Sequence, residues 1–468
     1  MKPRKVLLIR STVPGAKGHT VAQNQDAIMP PLGLMYLSSC LKKWGGHQYD
    51  VKLLDVGVET GKIAELQGMI NSFAPDFTGI SGLTCEEHRI LEIAAMVKDY
   101  NKACPVVLGG PCASSDPKHA AEKKDIDFVA VNEAEYTFVE LLDALSGGGD
   151  ASKVKGFMSR NGDGRPVFTG EGKRPDELDG LPFPDWDLVN IDDYACSFNF
   201  NAPFLRSERY FPMFTSRGCP YHCIYCHNLY GKQIRLRSIG NILEELEILY
   251  GRYGIREIQI IDDIFNLHRE RVLELCGKIV ERGWDLSISF PNGVRGDILD
   301  RETIEALKDA GCYSMTFAVE TTSRRLQKLL QKNLNIPKLV ENVQIASELG
   351  IITFGFFMIG FPTETREEML DTMDFAERSL LDFPRVFQVR PHPGTPLFDM
   401  AVKEGFDPDK YHYGHYTYFS QKVNCSPLGD EDFHRLYSGG VYRINKAAHR
   451  IERQKEIFAG GLIRKYVY

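Results

Sequence analysis

The sequence predicts an α/β protein of two sheet-bearing parts: a doubly wound, Rossmann-like parallel sheet, then a partial (β/α)6 TIM-like barrel, with a short helical C-terminal extension. Three observations carry this prediction. From Lys5 to about Leu145, short β-branched runs alternate with helical patterns, as a parallel sheet with helical crossovers requires. The same alternation resumes at Tyr210 and recurs to Pro391. Between them, residues 146–205 are punctuated by glycine and proline. The predicted division is 1–146, a linker with a β-hairpin over 147–205, a barrel over 206–400 and an extension over 401–468.

The totals agree. A chain of 468 residues suggests about two or three domains. Its 43% hydrophobic and 25% charged content is that of an ordinary globular protein. A net charge of −7 argues against a nucleic-acid binder. The opening Met1–Arg10 has too short an apolar run for a signal peptide, and no run approaches a membrane span. Eleven mostly scattered cysteines without a secretion signal place the chain in a reducing cytoplasm.

In the first part the expected strands are Lys5–Arg10, Val51–Asp55, Phe77–Ser81, Pro105–Leu108 and Asp127–Val131, with helices over Leu32–Trp44, Lys62–Phe73, Glu86–Tyr100, Pro117–Lys124 and Glu135–Leu145. Such a sheet binds ligands outside the carboxyl ends of its strands. Those ends carry Ser81-Gly82-Leu83-Thr84, Gly109-Gly110-Pro111 and the carboxylates Glu133 and Glu135, and small residues there let a bulky ligand approach the backbone. No G-x-G-x-x-G follows the first strand, so a nicotinamide or flavin site is disfavoured. In the linker, Val154–Ser159 and Arg165–Thr169 read as a hairpin around Asn161–Gly164, and Leu181, Phe183 and Trp186 are expected to pin the two parts together.

The barrel's first strand runs into Thr215–His227, which sets Cys219, Cys223 and Cys226 in a C-x3-C-x2-C spacing. Three close thiols form a soft-metal site. One reading is a cluster of four irons with one iron left open, since four cysteines saturate such a cluster. The other is structural zinc with His222 or His227 as fourth ligand. The barrel strands are expected over Tyr210–Ser216, Glu257–Asp262, Ser287–Asn292, Tyr313–Val319, Ile352–Gly360 and Arg385–Pro391, and functional groups of α/β barrels sit at the carboxyl ends of strands. Those ends offer Asp262 and Asp263, one of them also suited to capping a helix, then Arg295, whose planar fork suits a carboxylate, then Glu320, and the turn Gly360–Glu364 containing Pro362.

The cysteine spacing, with Tyr225 just before the last thiol, resembles the signature of the radical S-adenosylmethionine enzymes. The first 145 residues, through Pro30–Leu37, Pro75–Ser81, Val106–Pro111 and Glu133–Thr137, resemble the cobalamin-binding domain fused to many of them. The resemblance implies one [4Fe-4S] cluster on Cys219, Cys223 and Cys226, with S-adenosylmethionine on the open iron. It assigns Tyr225, Asp262, Asp263, Arg295, Glu320 and Pro362 to S-adenosylmethionine. Ser81, Gly82, Leu83, Thr84, Gly109, Gly110, Pro111, Glu133 and Glu135 fall to cobalamin. Two departures stand out. None of the 12 histidines lies in an Asp-x-His-x-x-Gly motif, so cobalt would have no histidine beneath it, and Thr363 replaces the second glycine of the family's adenine-supporting turn.

The implied activity is methylation of an unactivated carbon of a small molecule, by way of a 5′-deoxyadenosyl radical and methylcobalamin, with an electron donor such as flavodoxin or ferredoxin and under low oxygen. The same domain pair also supports oxidative cyclisation or rearrangement of a porphyrin or lipid, and a non-enzymatic metal or cobalamin carrier is a third reading. In the extension, Tyr411–Phe419 is aromatic-rich and suits either a packed loop or the substrate opening. Residues 441–468 carry seven Lys or Arg against two Glu, with Val441, Ile444, Ala448 and Ile451 at helical spacing. A docked helix with a solvated face is expected there, membrane contact being the lesser alternative. Cys425 stands alone and is expected to ligate nothing.

Overall fold

The structure, a computed structural model, describes residues 2–11, 29–59, 63–195, 204–227, 229–408, 423–460 and 463–464. The described residues up to 195 form one compact unit and those from 204 onward another.

The first unit runs β1 (Arg4–Arg10), α1 (Leu32–Trp44), β2 (Tyr49–Asp55), α2 (Val56–Glu59), α3 (Ile63–Phe73), β3 (Phe77–Ser81), α4 (Glu87–Tyr100), β4 (Val106–Gly109), α5 (Gly110–Ser115), α6 (Pro117–Ala121), β5 (Phe128–Ala130), α7 (Glu135–Ser146), β6 (Phe157–Arg160), β7 (Pro166–Phe168) and α8 (Asp192–Ala195). Its sheet has the order β2-β1-β3-β4-β5-β6-β7, with the first five strands parallel. The strands alternate between two cores. Leu7 and Ile9 pack with Ile80, Ile90 and Ile93 on one face, whereas Val6 and Leu8 pack with Leu34, Leu41 and Phe138 on the other. A parallel sheet buried on both faces needs such near-continuous apolar strands.

One expectation about the linker is corrected. The hairpin β6–β7 is not a linker module: β6 pairs antiparallel with β5 and extends the first sheet. Leu181 belongs to the first unit's own core, and Asp185 accepts from Ser38 Oγ at 2.6 Å while its N–H donates to Met35 O at 3.2 Å. The proline-rich segment is thus packed onto α1.

The second unit begins with β8 (Phe204–Leu205), β9 (Tyr210–Met213), β10 (Ser216–Arg217) and β11 (Arg235–Leu236). It continues α9 (Ile239–Gly251), β12 (Glu257–Ile260), α10 (Arg269–Arg282), β13 (Ser287–Val294), α11 (Arg301–Asp309), β14 (Cys312–Glu320), α12 (Arg324–Leu329), α13 (Ile336–Glu348), β15 (Ile352–Ile359), α14 (Arg366–Arg378), β16 (Phe383–Gln388) and α15 (Pro396–Lys403). It ends with α16 (Asp430–Lys446), α17 (Ala448–Ala459) and β17 (Ile463–Arg464). Six parallel strands in the order β16-β15-β14-β13-β12-β9 make the predicted (β/α)6 sheet. Its helices start on side-chain caps from Ser238, Asp300, Ser323, Asn335 and Thr365, residue types that satisfy the free amides of a first turn.

The amino-terminal end of this sheet is closed. β8 pairs antiparallel with β17, and Phe204 packs with Tyr313, Ile352, Phe354 and Ile457. Beneath them Glu257 is fully buried, accepting from Arg206 N, Ser207 N and the Tyr313 hydroxyl at 2.7–3.0 Å. Burial pushes its carboxyl up to about 7.

The extension differs from its expectation. The helical stretch starts earlier, at Asp430, and breaks at Ala447, with Phe433, Leu436, Gly440 and Ile444 on the buried stripe of α16. Several of its cations are paired within the chain. Arg443 pairs with Asp374 and Glu377, and Arg453 with Asp382. Arg450, 2% exposed, donates to the carbonyls of Ala376, Glu377, Ser379, Leu381 and Ile444, and so caps the end of α14. The aromatic stretch Tyr411–Phe419 lies outside the described residues. No helix among the described residues is long and apolar enough to cross a membrane.

Candidate active site

The cysteine loop is the excursion between β10 and β11, which pair antiparallel and clasp its base. Gly218 opens it at φ +89°, and a Cβ there would lie 2.4 Å from Gln233 O, so only glycine fits. Cys219 N donates to Gly231 O at 3.2 Å, Ile224 N to Leu330 O at 3.1 Å, and Leu397 N to Ile224 O at 3.0 Å. These bonds tie the loop to the residues that follow α12 and to α15. Burial, with the negative charge of Asp263 next, pushes the Cys226 thiol up to about 12 and raises Cys219 as well. A metal bound by Cys219 and Cys226 must displace their protons. Among the described residues, no three His, Cys, Asp or Glu side chains converge on a single-ion site.

Around the loop, the strand ends supply the predicted side chains in two different roles. β14 ends in a bulge, and Glu320 takes φ +68°, a left-handed conformation that a non-glycine residue adopts at a cost. This turns its buried carboxylate toward the cysteine loop, where it accepts from the Tyr225 hydroxyl at 3.3 Å and lies 3.7 Å from Lys332 Nζ. Burial raises the Glu320 carboxyl, opposed by Lys332. Asp263 is exposed, and one of its oxygens accepts from Gly218 N at 3.0 Å. Pro362 is buried in the turn after β15, where Glu364 accepts from Gly360 N and Phe361 N at 2.6 and 3.0 Å and burial pushes its carboxyl up to about 8. Thr363 carries its carbonyl to Arg325 Nη2 at 2.7 Å, so an arginine holds the turn where a glycine was expected.

Two assigned residues are otherwise engaged. Asp262 is fully buried and accepts from Thr215 N, Thr215 Oγ1 and Ser216 Oγ, each at 2.6 Å. Its oxygens face the start of the cysteine loop, so it anchors that loop through three hydrogen bonds. Arg295 pairs with Asp297 at 3.0 Å, donates to Asn333 O at 3.1 Å and lies over the Tyr221 ring at 4.0 Å. It braces the loop instead of waiting for a carboxylate.

Two helpers went unnoticed in the sequence. Arg271 donates to Thr215 O at 2.8 Å from α10, and Lys332 is 9% exposed beside Glu320. A lysine in a loop after a basic helix gives no local signal of burial. Cys425 is buried and donates weakly to Val389 O.

In the first unit the order 2-1-3-4-5 puts the topological switch between β1 and β3, where open sheets bind ligands. Ser81, Gly82, Leu83 and Thr84 follow β3, while Gly109, Gly110 and Pro111 span the junction of β4 and α5. Gly82 is pressed against Ser11 so tightly that a Cβ would lie 2.0 Å from its Oγ. Glu86 organises the loop by accepting from Ser11 Oγ at 3.0 Å and Leu83 N at 2.9 Å. Thr84 Oγ1 meets Ser115 Oγ at 3.1 Å, and Cys112 N donates to Gly82 O at 3.0 Å, which joins the β3 and β4 loops. Glu133 and Glu135 are both buried at the start of α7. Leu83 is left exposed at the rim.

Comparison with known proteins now bears on this geometry. Residues 18–142 match the B12 binding domain and residues 213–376 the Radical SAM superfamily. An uncharacterized methyltransferase of Pyrococcus horikoshii is 33% identical over 407 residues, covering 86% of this chain and 84% of the relative. The chain belongs to the cobalamin-dependent radical S-adenosylmethionine methyltransferases. Another methyltransferase similar to it, the cytidylyl-2-hydroxyethylphosphonate methyltransferase of Streptomyces wedmorensis, is 29% identical across 86% of this chain and 83% of its own. The fold is shared with the radical S-adenosylmethionine methyltransferase TsrM from Kitasatospora setae, with a TM-score of 0.70 and 19% identity over 86% of this chain and 76% of that one. As a radical S-adenosylmethionine methyltransferase the chain is an enzyme, and the carrier reading falls.

Proposed function

We propose that the chain methylates an unactivated carbon of a small molecule, holding one [4Fe-4S] cluster on Cys219, Cys223 and Cys226, S-adenosylmethionine across the barrel's strand ends, and cobalamin on the carboxyl edge of the first sheet. The observation that carries this is the clasped cysteine loop set against Tyr225 and the buried Glu320–Lys332 pair. When bound, the cluster, S-adenosylmethionine and cobalamin supply the adenosyl radical and the methyl group.

The chain's own part is placement. Glu320 and Lys332 are a buried anion and cation 3.7 Å apart, suited to the ammonium and carboxylate of an amino-acid moiety. Tyr225 hydrogen-bonds Glu320 and holds it toward the loop. Asp263 fixes Gly218, and the Gly360–Glu364 turn offers a rigid apolar edge at Pro362 for a flat ring. On the first unit, Gly82 and the small residues of the β4 loop leave room for a wide macrocycle, with Leu83 exposed at the rim. Burial of Glu320, Lys332 and Pro362 keeps water from a reactive alkyl radical. The setting is a reducing, low-oxygen cytoplasm, with flavodoxin or ferredoxin as the class of electron source.

The test is anaerobic reconstitution with iron and sulfide, then dithionite and S-adenosylmethionine. 5′-Deoxyadenosine is expected, together with transfer of a labelled methyl group to product. An intact cluster that yields no 5′-deoxyadenosine overturns the reading. 5′-Deoxyadenosine without label transfer moves it to cyclisation or rearrangement. Cobalamin that washes off on gel filtration would overturn the assignment of the first unit.

A further inference from the structure

Charge is rare on the six barrel strands. Among the described residues, β9 and β12–β16 carry three charged side chains, Glu257, Glu320 and Arg385. Glu257 is buried at the amino-terminal end of the sheet, and Glu320 turns toward the cysteine loop. Arg385, within β16, is the only cation of the three.

The alternation of β15 fixes the face on which Arg385 lies. Phe357 packs against Phe375 of α14, and a Cβ on Gly355 would lie 2.4 Å from Leu381 Cδ1, so these residues face the helices. Phe354, Phe356 and Met358 therefore face the inside of the barrel. Register places Phe383 beside Phe354, Arg385 beside Phe356 and Phe387 beside Met358, on the same inner face. Phe354 and Phe383 stack with centroids 4.9 Å apart, Phe356 and Phe387 meet edge to face at 5.6 Å, and the Arg385 guanidinium lies 5.0 Å from the Phe354 centroid. Two aromatic layers thus flank one arginine.

The opposite wall is small. Ala318 lies beside Phe356 in register, and a Cβ on Gly293 would lie 3.5 Å from the Ala318 Cβ. Lower down, Phe354, Thr316 and Ser289 are buried, so that level is filled. Phe356, Met358, Arg385, Phe387 and Ala318 instead keep part of their surface exposed, so the upper lumen is hollow. Met358 joins the cluster of Ile224, Tyr225 and Phe361, which sets this hollow beneath the cysteine loop.

We propose that the substrate carries an oxyanion, a carboxylate or a phosphate, on a planar apolar body, and that Arg385 is the residue that selects it. A guanidinium matches either oxyanion edge to edge while stacking on an aromatic face. Phe356 and Phe387 supply the ring contact, and the small residues of β13 and β14 supply the room. This rests on the barrel holding S-adenosylmethionine at its strand ends, and adds to that reading the class of the substrate.

The test uses the full iron-free chain and two probes that differ in charge, naphthyl phosphate and naphthol, with binding read by calorimetry. Wild type should prefer the phosphate by at least about tenfold, as a charge-assisted pair provides. Arg385→Gln should cut that preference to within about twofold by weakening the phosphate alone. Arg385→Lys keeps the charge without the fork and should hold an intermediate preference. Phe387→Ala should weaken both probes alike, since it removes ring contact and no charge. A merely structural arginine would lower both affinities together in Arg385→Gln and would leave their ratio unmoved. Should that variant fold poorly, Arg385→Lys still reads the ratio. Equal binding of the two probes by wild type overturns the proposal, as does binding of neither, or a preference that survives Arg385→Gln. A reconstituted wild type that forms no 5′-deoxyadenosine would overturn the radical reading instead, while the iron-free binding arm still decides the arginine wall.

Discussion

Replacing Asp262 with alanine removes the acceptor for Thr215 N, Thr215 Oγ1 and Ser216 Oγ at once, all buried at 2.6 Å. Hydrogen bonds to a charged group contribute about 1.5–3 kcal/mol each, and a buried donor left unmatched costs about 1–3 kcal/mol. The two hydroxyls can rotate toward other acceptors but the backbone amide cannot, so Asp262→Ala should lower stability by about 3–5 kcal/mol. Arg271 deepens the loss, because it donates to Thr215 O from the same network. Asp262→Asn keeps one acceptor and lets the hydroxyls reverse, and should cost about 1–2 kcal/mol. Urea unfolding of the iron-free chain, followed by far-UV circular dichroism, gives the difference. Iron content after reconstitution should drop to under about half in the alanine variant, since residues that orient ligands commonly weaken metal binding by about 10-fold or more when removed. A variant with wild-type stability and full iron that fails only to bind S-adenosylmethionine would refute the anchoring role and return Asp262 to the cofactor.

Four further outcomes are expected. Glu257 has its carboxyl raised from 4.5 to about 7 by burial, so its contribution is present below pH 4.5 and lost as pH rises toward 7, about 3 kcal/mol in all; Glu257→Gln should flatten that slope in unfolding curves measured across the window. Arg450→Ala strips five carbonyls of one donor and should destabilise the second unit by about 3–5 kcal/mol, read as a lowered thermal midpoint. Alanine at Cys219, Cys223 or Cys226 should each abolish stable iron binding, whereas Cys425→Ala, at a buried position bonded only weakly to Val389 O, should leave iron content unchanged. Gly82→Ala forces a methyl to within 2.0 Å of Ser11 Oγ and should release cobalamin on gel filtration while the cluster remains.

Both sheets were legible because buried parallel strands must be nearly continuous in apolar residues, and Phe77–Ser81 or Ile352–Ile359 can be read from any window that contains them. The cysteine loop was legible for a different reason: its ligands are neighbours in sequence. What sequence could not show was the direction of side chains at strand ends. Asp262 and Asp263 are adjacent, yet one is fully buried against Thr215 and the other exposed beside Gly218. Both look alike to a motif. The hairpin β6–β7 was recognisable from its turn, but its pairing with β5 is a long-range choice that the turn does not encode. Likewise the basic C-terminal helix read as a solvated or membrane-facing surface, because the carbonyls that absorb Arg450 lie about seventy residues upstream.

The clasp of β10 and β11 has a bearing on biogenesis. Small zinc modules fold only when metal arrives, because nothing else closes the chain around it. Here the strand pair, the Asp262 anchor and the Ile224–Leu330 bond hold the loop shut by themselves. The geometry of the loop's base is therefore set by backbone and carboxylate bonds that do not involve the three thiols, which makes the shape of this site a property of the barrel.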